Sequence, residues 1–256
     1  MSSAPARGRL TGKVAIVTGA GRGQGEREAR LFCGEGASVM LTDVIEDGIA
    51  SVADELGDAA RWARHDVSSE DDWNAVMEAT VDAFGRVDVL VNNAAIHHLR
   101  SIEHETLADF ERMVAINLTG TFLGVRSVIA PMRDAGGGSI VNISSLAGLQ
   151  GYVAHSAYAA TKYGVRGLTQ VAAVELGPTG IRVNSVHPGP IDTDMLPASS
   201  RARGPDAFRN VPLQRVGAPD EVAALVLFLA SDESSYLSGA EITVDGGLGA
   251  GQVPPS

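Results

Sequence analysis

Lysine is nearly absent from this sequence: Lys13 and Lys162 stand against 18 arginines in 256 residues. A position that keeps lysine in such a chain has a reason to exclude arginine's planar fork. Cysteine is scarcer still. Cys33 has no second cysteine to pair with, and it falls in the apolar stripe of a helical run with Ala29 and Phe32, where it reads as packing. A reducing, cytoplasmic setting is the simplest expectation. Positive charge is short overall, with 20 basic against 31 acidic side chains and a formal charge of −11. Such a field repels phosphate backbones and anionic membrane surfaces, so no nucleic-acid or membrane partner is expected. Long apolar runs are missing too. The longest, VAALVLFLA at 222–230, is too short to span a bilayer, and MSSAPARGRL has no apolar core of the signal-peptide type. The six histidines show no ligand spacing, so no metal is expected; neighbouring His97 and His98 point apart if extended.

What the chain does have is a recurring run of Val, Ile and Leu. VAIVT (14–18), SVMLTD (38–43), VDVLVNNA (87–94), SIVNIS (139–144), IRVNSV (181–186) and EITV (241–244) are of strand length, with a weaker RWARHDV at 61–67. Helical periods lie between them, as at 26–36, 69–85 and 107–133. Strands alternating with helices predict a parallel sheet, and nearly continuous apolar strands predict that both of its faces are covered. The fold class expected is α/β, a doubly wound Rossmann-like sheet. No linker or repeat interrupts 1–256, which reads as one domain, while Pro, Arg, Ser and Gly at about 194–216 break the alternation and predict a mobile substrate-loop insertion.

TGAGRGQG (18–25) joins the first strand to the first helix, with Gly19, Gly23 and Gly25 spaced G-x-x-x-G-x-G around Arg22 and Gln24. Glycines there permit a tight turn, close approach of backbone to a pyrophosphate, and helix amides aimed at it. The spacing does not fit G-x-G-x-x-G in any register, and on glycines alone a turn chosen for backbone freedom stays open. Asp43 ends the second strand, about 20 residues on, where a dinucleotide fold sets an acid against the adenosine ribose hydroxyls. A carboxylate there repels a 2′-phosphate, so NAD is favoured over NADP. Arg22 argues the other way if it meets that phosphate, and not if it faces the diphosphate or solvent.

SAYAATKYG (156–164) holds two tyrosines, and only Tyr158 has a lysine four residues on. Four residues are about 400° of helix, so Tyr158 and Lys162 leave one face a turn apart. Chance places a lysine so beside one of four tyrosines in about 3 % of chains this poor in lysine. A cation beside a phenol lowers a pKa that starts near 10, which brings it toward acid/base work. Tyr163 leaves some 140° round the axis and is expected to pack. Ser145 ends a strand at the sheet edge where such folds bind ligands, and a loop or capping serine is an equal alternative. Asn117 interrupts an apolar helix in which Asn is a poor former; a core Asn holding a local hydrogen bond is again an equal alternative.

With TGAGRGQG, NNAA, the Asn of INLTG, NISS, Y-x-x-x-K and HPGPIDT in that order from about Lys13 to Gly247, the chain resembles the short-chain dehydrogenase/reductase family. The motifs are individually modest and jointly specific. The resemblance implies a seven-stranded parallel sheet with helices on both faces and a catalytic group of Asn117, Ser145, Tyr158 and Lys162. It implies that Tyr158 exchanges a proton with the substrate oxygen, Ser145 holds that oxygen, Lys162 binds the nicotinamide ribose and biases Tyr158 toward ionisation, and Asn117 holds a proton-relaying water. Cofactor contacts implied are Gly19, Arg22, Gly23, Gln24 and Gly25 at the turn, Asp43, Asp66 and Val67 at the adenosine, Asn93 and Ala94 beneath. Pro188, Gly189, Ile191 and Thr193 are implied over the nicotinamide. NNAA stands where the family has N-N-A-G, which puts a methyl at Ala95.

Within the family, 164–189 and the ending SDESSYLSGAEITVDGG look most like bacterial hydroxysteroid dehydrogenases that use NAD(H). His97, His98, Leu146, Tyr152, His155, Met195 and Leu196 are placed to shape a pocket for a hydrophobic alcohol or ketone. A 3-oxoacyl-carrier-protein reductase is the rival enzyme, but Gly138 or Ser139 and Val174 stand where its docking arginines are usual. A catalytically silent nucleotide-binding protein is the rival of another class, and no catalytic residue is missing. A homotetramer is implied by the family, through helices around 107–133 and 156–177.

Overall fold

Along each inner strand, successive side chains feed two different cores. Ala15 and Val17 of β1 (Val14–Thr18) join one buried cluster and Ile16 the other. Val89, Val91 and Leu90 of β4 (Val89–Asn92) repeat this, as do Val141, Ile143 and Ile140 of β5 (Gly138–Ile143). The period of two leaves these inner strands no wet face, and each fully buried Val, Leu or Ile stabilises the sheet by about 1.5–3 kcal/mol. One cluster is closed by α1 (Gly23–Gly34), α2 (Glu46–Leu56) and α7 (Pro219–Ala230). The other is closed by α3 (Glu70–Phe84), α5 (Gly120–Asp134) and α6 (Ser156–Leu176). The computed structural model describes residues 8–196 and 208–251; of the expected insertion at about 194–216, residues 197–207 lie outside these.

With β2 (Ser38–Asp43), β3 (Ala60–Arg64), β6 (Ile181–Pro188) and β7 (Glu241–Val244), the sheet runs β3-β2-β1-β4-β5-β6-β7, every pair parallel. The seven strands and the two helical layers are those expected. Strand order reverses between β1 and β4, which opens a crevice at their carboxyl ends. β4 ends short of the expected run because Thr18 Oγ1 takes the N–H groups of Asn93 and Ala94, each at 3.0 Å, and draws them out of the ladder.

The helical run expected at 107–133 is interrupted. α4 (Leu107–Val114), opened by Thr106 accepting from Asp109 N at 3.1 Å, passes into a π turn at Ala115–Thr119 before α5 begins. By length and mean hydropathy (1.5), Leu107–Asp134 is the one described helix that could cross a membrane, and 44 % of its most apolar window is buried inside the fold.

Candidate active site

The glycine turn is shaped by what a side chain would strike. Gly19 and Gly23 have φ of 66° and 64°, the left-handed region. A Cβ on Gly25 would stand 2.3 Å from the Gly19 carbonyl oxygen and 2.6 Å from Asn93 Nδ2, so α1 approaches the turn as closely as backbone allows. Asn93 ties the turn to β4, donating to the Thr18 and Gly19 carbonyls at 2.9 and 3.2 Å. No side chain caps α1 at Arg22, which leaves its first amides open to an anion.

A cleft of about 770 Å³ runs from this turn to Asp43, Asp66 and Val67. Asp43 accepts from Gly21 N at 3.2 Å and Ile45 N at 3.1 Å, which holds its carboxylate under the turn. Asp66 closes its own loop onto Ser68, and the Val67 carbonyl takes the indole N–H of Trp73 at 2.9 Å. Arg22 pairs with Asp194 at 3.2 Å, and Thr193 stands 3.5 Å from where a Gly23 Cβ would lie, so Asp194 and Thr193 reach over the turn from beyond β6.

A second cleft of about 380 Å³ shares Gln24, Asn93, Ala95, His97, Thr193 and Met195 with the first. Pro188, Gly189 and Ile191 line it from β6 onward, and a Cβ on Gly189 would meet Asp245 Cα at 2.8 Å. These residues fit an extended dinucleotide: the turn is open, the helix amides are uncapped, and the buried Gln24 Oε1 has no protein partner among the described residues.

Tyr158 and Lys162 meet at this second cleft, both buried on one face of α6. The Tyr158 hydroxyl hydrogen-bonds Ser145, and Lys162 Nζ lies 5.5 Å from the Tyr158 ring centre while donating to the Ile143 carbonyl at 2.8 Å. Burial pushes the phenol up to about 12 against the pull of Ser145, and pushes the ammonium down to about 8. The lowered phenol expected from the lysine is therefore corrected. Desolvation by burial is the largest influence on each group.

Asn117 lies in the π turn, 1 % exposed. Its Oδ1 accepts from Ile96 N and its Nδ2 donates to Ile96 O, both at 2.9 Å, with Thr161 Oγ1 at 3.3 Å. A π turn points one residue off the regular helical face, and here it sends that amide to the strand exit and to α6. Both amide hydrogens are engaged, which leaves the second lone pair of Oδ1 for any water.

Of the residues expected to shape the pocket, Leu146, Tyr152, His155, Met195 and Leu196 line it with His97. His98 does not. It turns away to Glu105, 3.0 Å distant, as neighbours in an extended segment do. Burial, with His155, His98 and Lys162 nearby, pushes His97 down to about 4. Tyr163 is 42 % exposed on α6 rather than packed in the chain. Cys33 packs as expected, its thiol pushed up to about 11 by burial. Among the described residues no cluster of His, Cys, Asp and Glu could hold a metal.

Sequence reasoning missed three contributors. Thr18 was read only as the start of the glycine motif, yet it organises Asn93 and Ala94. His65 lines the larger cleft, bonded to Thr42 Oγ1 at 3.0 Å with Nε2 unpartnered among the described residues. Its place directly before Asp66 was the available signal. His187, inside HPGP, reaches the Ser145 carbonyl at 3.0 Å.

A family model described as enoyl-(acyl carrier protein) reductase matches residues 19–249. The 3-alpha-(or 20-beta)-hydroxysteroid dehydrogenase of Mycobacterium tuberculosis (strain ATCC 25618 / H37Rv) is 49 % identical over 244 residues, covering 95 % of this chain and 92 % of that protein. Trans-4-hydroxycyclohexanecarboxylate dehydrogenase of Sinomonas cyclohexanicum is 42 % identical over 252 residues, with 95 % of each chain covered. The crystal structure of levodione reductase matches with a TM-score of 0.88 at 38 % identity, over 94 % of this chain and 99 % of that one. Fold and relatives together define an oxidoreductase of CH–OH groups that works with a nicotinamide dinucleotide. The chain belongs to the short-chain dehydrogenase/reductase family.

Proposed function

We propose that this protein interconverts a secondary alcohol and a ketone on a hydrophobic ring, preferring NAD(H), with Tyr158 as acid and base. The observation that carries this reading is the meeting of the Tyr158 phenol, Ser145 and Lys162 where the two clefts join. Relatives named for a hydroxysteroid and a hydroxycyclohexanecarboxylate support a ring as the substrate. The bound nicotinamide supplies or takes the hydride at the carbon bearing the reacting oxygen. Ser145 holds that oxygen. Tyr158 gives it a proton as the carbonyl becomes an alcohol and takes the proton back in the other direction. Lys162, braced on the Ile143 carbonyl, holds the nicotinamide ribose, and Asn117 fixes the strand exit and carries the relay water on its remaining lone pair. Asp43 disfavours a 2′-phosphate, and Arg22 is drawn to Asp194 rather than left to receive one.

With its phenol near 12, Tyr158 begins as the acid at neutral pH. Ketone reduction then needs no prior ionisation, whereas oxidation draws on the phenolate, whose fraction rises tenfold per pH unit below the pKa. Oxidation is expected to quicken as pH rises above 7 while reduction shows no matching gain, read as kcat in both directions. Tyr158→Phe is expected to lower both by roughly 10²–10⁴-fold, and turnover left intact would remove Tyr158 from the mechanism.

The matched family description supports a second reading, reduction of an acyl-carrier thioester. Val174, in place of a docking arginine, is 79 % exposed and apolar, which speaks against it. Assays of ring alcohols, ring ketones and a 3-oxoacyl-carrier thioester with both cofactors separate the two, and efficient NADPH-dependent thioester reduction overturns the first. We also read the protein as a cytoplasmic homotetramer. Exposed Phe122, Val171 and Val174 on α5 and α6 support the pairing, which light scattering tests.

A further inference from the structure

One wall of the smaller cleft is more elaborate than proton transfer requires. Between Gln150 and Ser156 the chain passes through Ala154 at φ 64°, a left-handed conformation that residues with a Cβ rarely hold. Its neighbours fix it there. The Ala154 carbonyl accepts from Arg100 N at 2.9 Å, and Arg100 forms a short parallel bridge with His155. His155 is thereby turned back on its own loop, with Nδ1 2.8 Å from the Val153 carbonyl. A carbonyl oxygen only accepts, so Nδ1 carries the hydrogen and Nε2 of the neutral ring is an acceptor. Among the described residues Nε2 has no hydrogen-bond partner.

The rings on this wall form a row. His97 lies 4.6 Å from Tyr158 and 5.0 Å from His155, and Tyr152 lies 5.7 Å beyond His155, centre to centre. The Tyr152 oxygen accepts from Gln150 Nε2 at 2.5 Å, which leaves its O–H to donate. An acceptor and a donor therefore belong to neighbouring rings that both line the cleft, with apolar Leu146, Phe208 and Val211. The His155 and Tyr158 ring centres are 6.2 Å apart, so this pair of groups and the phenol face one cleft.

We propose that His155 Nε2 and the Tyr152 hydroxyl form a subsite for a second oxygen on the substrate, so that the preferred substrate is a cyclic diol, hydroxyketone or dione. A hydroxyl satisfies both groups, donating to Nε2 and accepting from Tyr152, and a keto oxygen satisfies Tyr152. A plain ring alcohol leaves both unpaired once water is displaced, the arrangement that rejects an analogue lacking the polar group. The inference rests on Tyr158 working the reacting oxygen at the other end.

The test compares kcat/KM for trans-cyclohexane-1,4-diol and cyclohexanol, with NAD, in the wild type, His155→Phe and Tyr152→Phe. The wild type is expected to favour the diol by at least about tenfold. In each variant that ratio is expected to fall toward one, chiefly through KM, and His155→Gln, which keeps an acceptor, to recover part of it. A wild type with no preference for the diol overturns the subsite whatever the variants do, as do variants that keep the full ratio. Turnover of neither alcohol defeats the ring-alcohol reading itself, and the subsite with it.

Discussion

His187 shows how a residue away from the cleft sets a side chain within it. It is fully buried in β6, with Nδ1 3.0 Å from the Ser145 carbonyl and Nε2 2.9 Å from Ser185 Oγ. Because a carbonyl cannot donate, the hydrogen sits on Nδ1 and Ser185 donates to Nε2; burial lowers the imidazole pKa and keeps this neutral form. His187→Asn retains a donor near the Nδ1 position and His187→Gln does not. The Asn variant is expected to keep kcat and the Gln variant to lose roughly tenfold with KM little changed, equivalent to about 1.4 kcal/mol of transition-state stabilisation. Equal losses in both would make His187 mere packing. Tyr158 and Lys162 were legible in the sequence because scarcity marked the lysine. His187 was not, since a histidine inside an apolar strand carries no sign of which carbonyl it meets.

The two ends of α1 make opposite demands on glycine. At Gly25 a methyl meets backbone at 2.3 Å, whereas at Gly34 nothing lies within 4 Å. Gly25→Ala is expected to destabilise by about 1–3 kcal/mol and to weaken cofactor binding at least tenfold, because α1 must back away from the turn. Gly34→Ala is expected to stabilise by up to about 1 kcal/mol with binding unchanged. Thermal melts and cofactor titration read both, and equal effects would remove close approach as the explanation. Inner-strand positions were legible at this scale, since strands covered on both faces must be apolar throughout, whereas the exposed edge strand β3 gave only a weaker run. The π turn was not: it adds a residue to one helical turn without altering composition, and only Asn117 among apolar neighbours hinted at it. α2 was passed over too, its EDGIASVADEL diluted by acids and Gly48, which a Cβ would bring to 3.0 Å from the Gly21 carbonyl.

Across the whole molecule, a net charge of −11 accompanies one acid placed where no charge belongs. Glu28 of α1 is fully buried with neither carboxylate oxygen partnered among the described residues, and burial pushes it up to about 8. Its folded pKa exceeds its unfolded one, so the fold holds the proton more tightly. Stability is fullest below pH 4.5 and declines as pH rises toward 8, by up to about 5 kcal/mol, levelling off once Glu28 ionises in the fold. Glu28→Gln is expected to melt higher than the wild type at pH 8 and nearly equal to it at pH 5; a gap independent of pH would contradict the buried acid. The order β3-β2-β1-β4-β5-β6-β7 has a consequence for the chain as it is made. From β4 onward every strand emerging from the ribosome pairs with one already synthesised, so the sheet can grow in the direction of synthesis. The exception is the crevice, which stays half-walled until β6 and the Thr193 segment arrive. Binding competence is thus among the last properties a nascent chain acquires, and a chain released before Glu241 would expose β6 as a bare parallel edge.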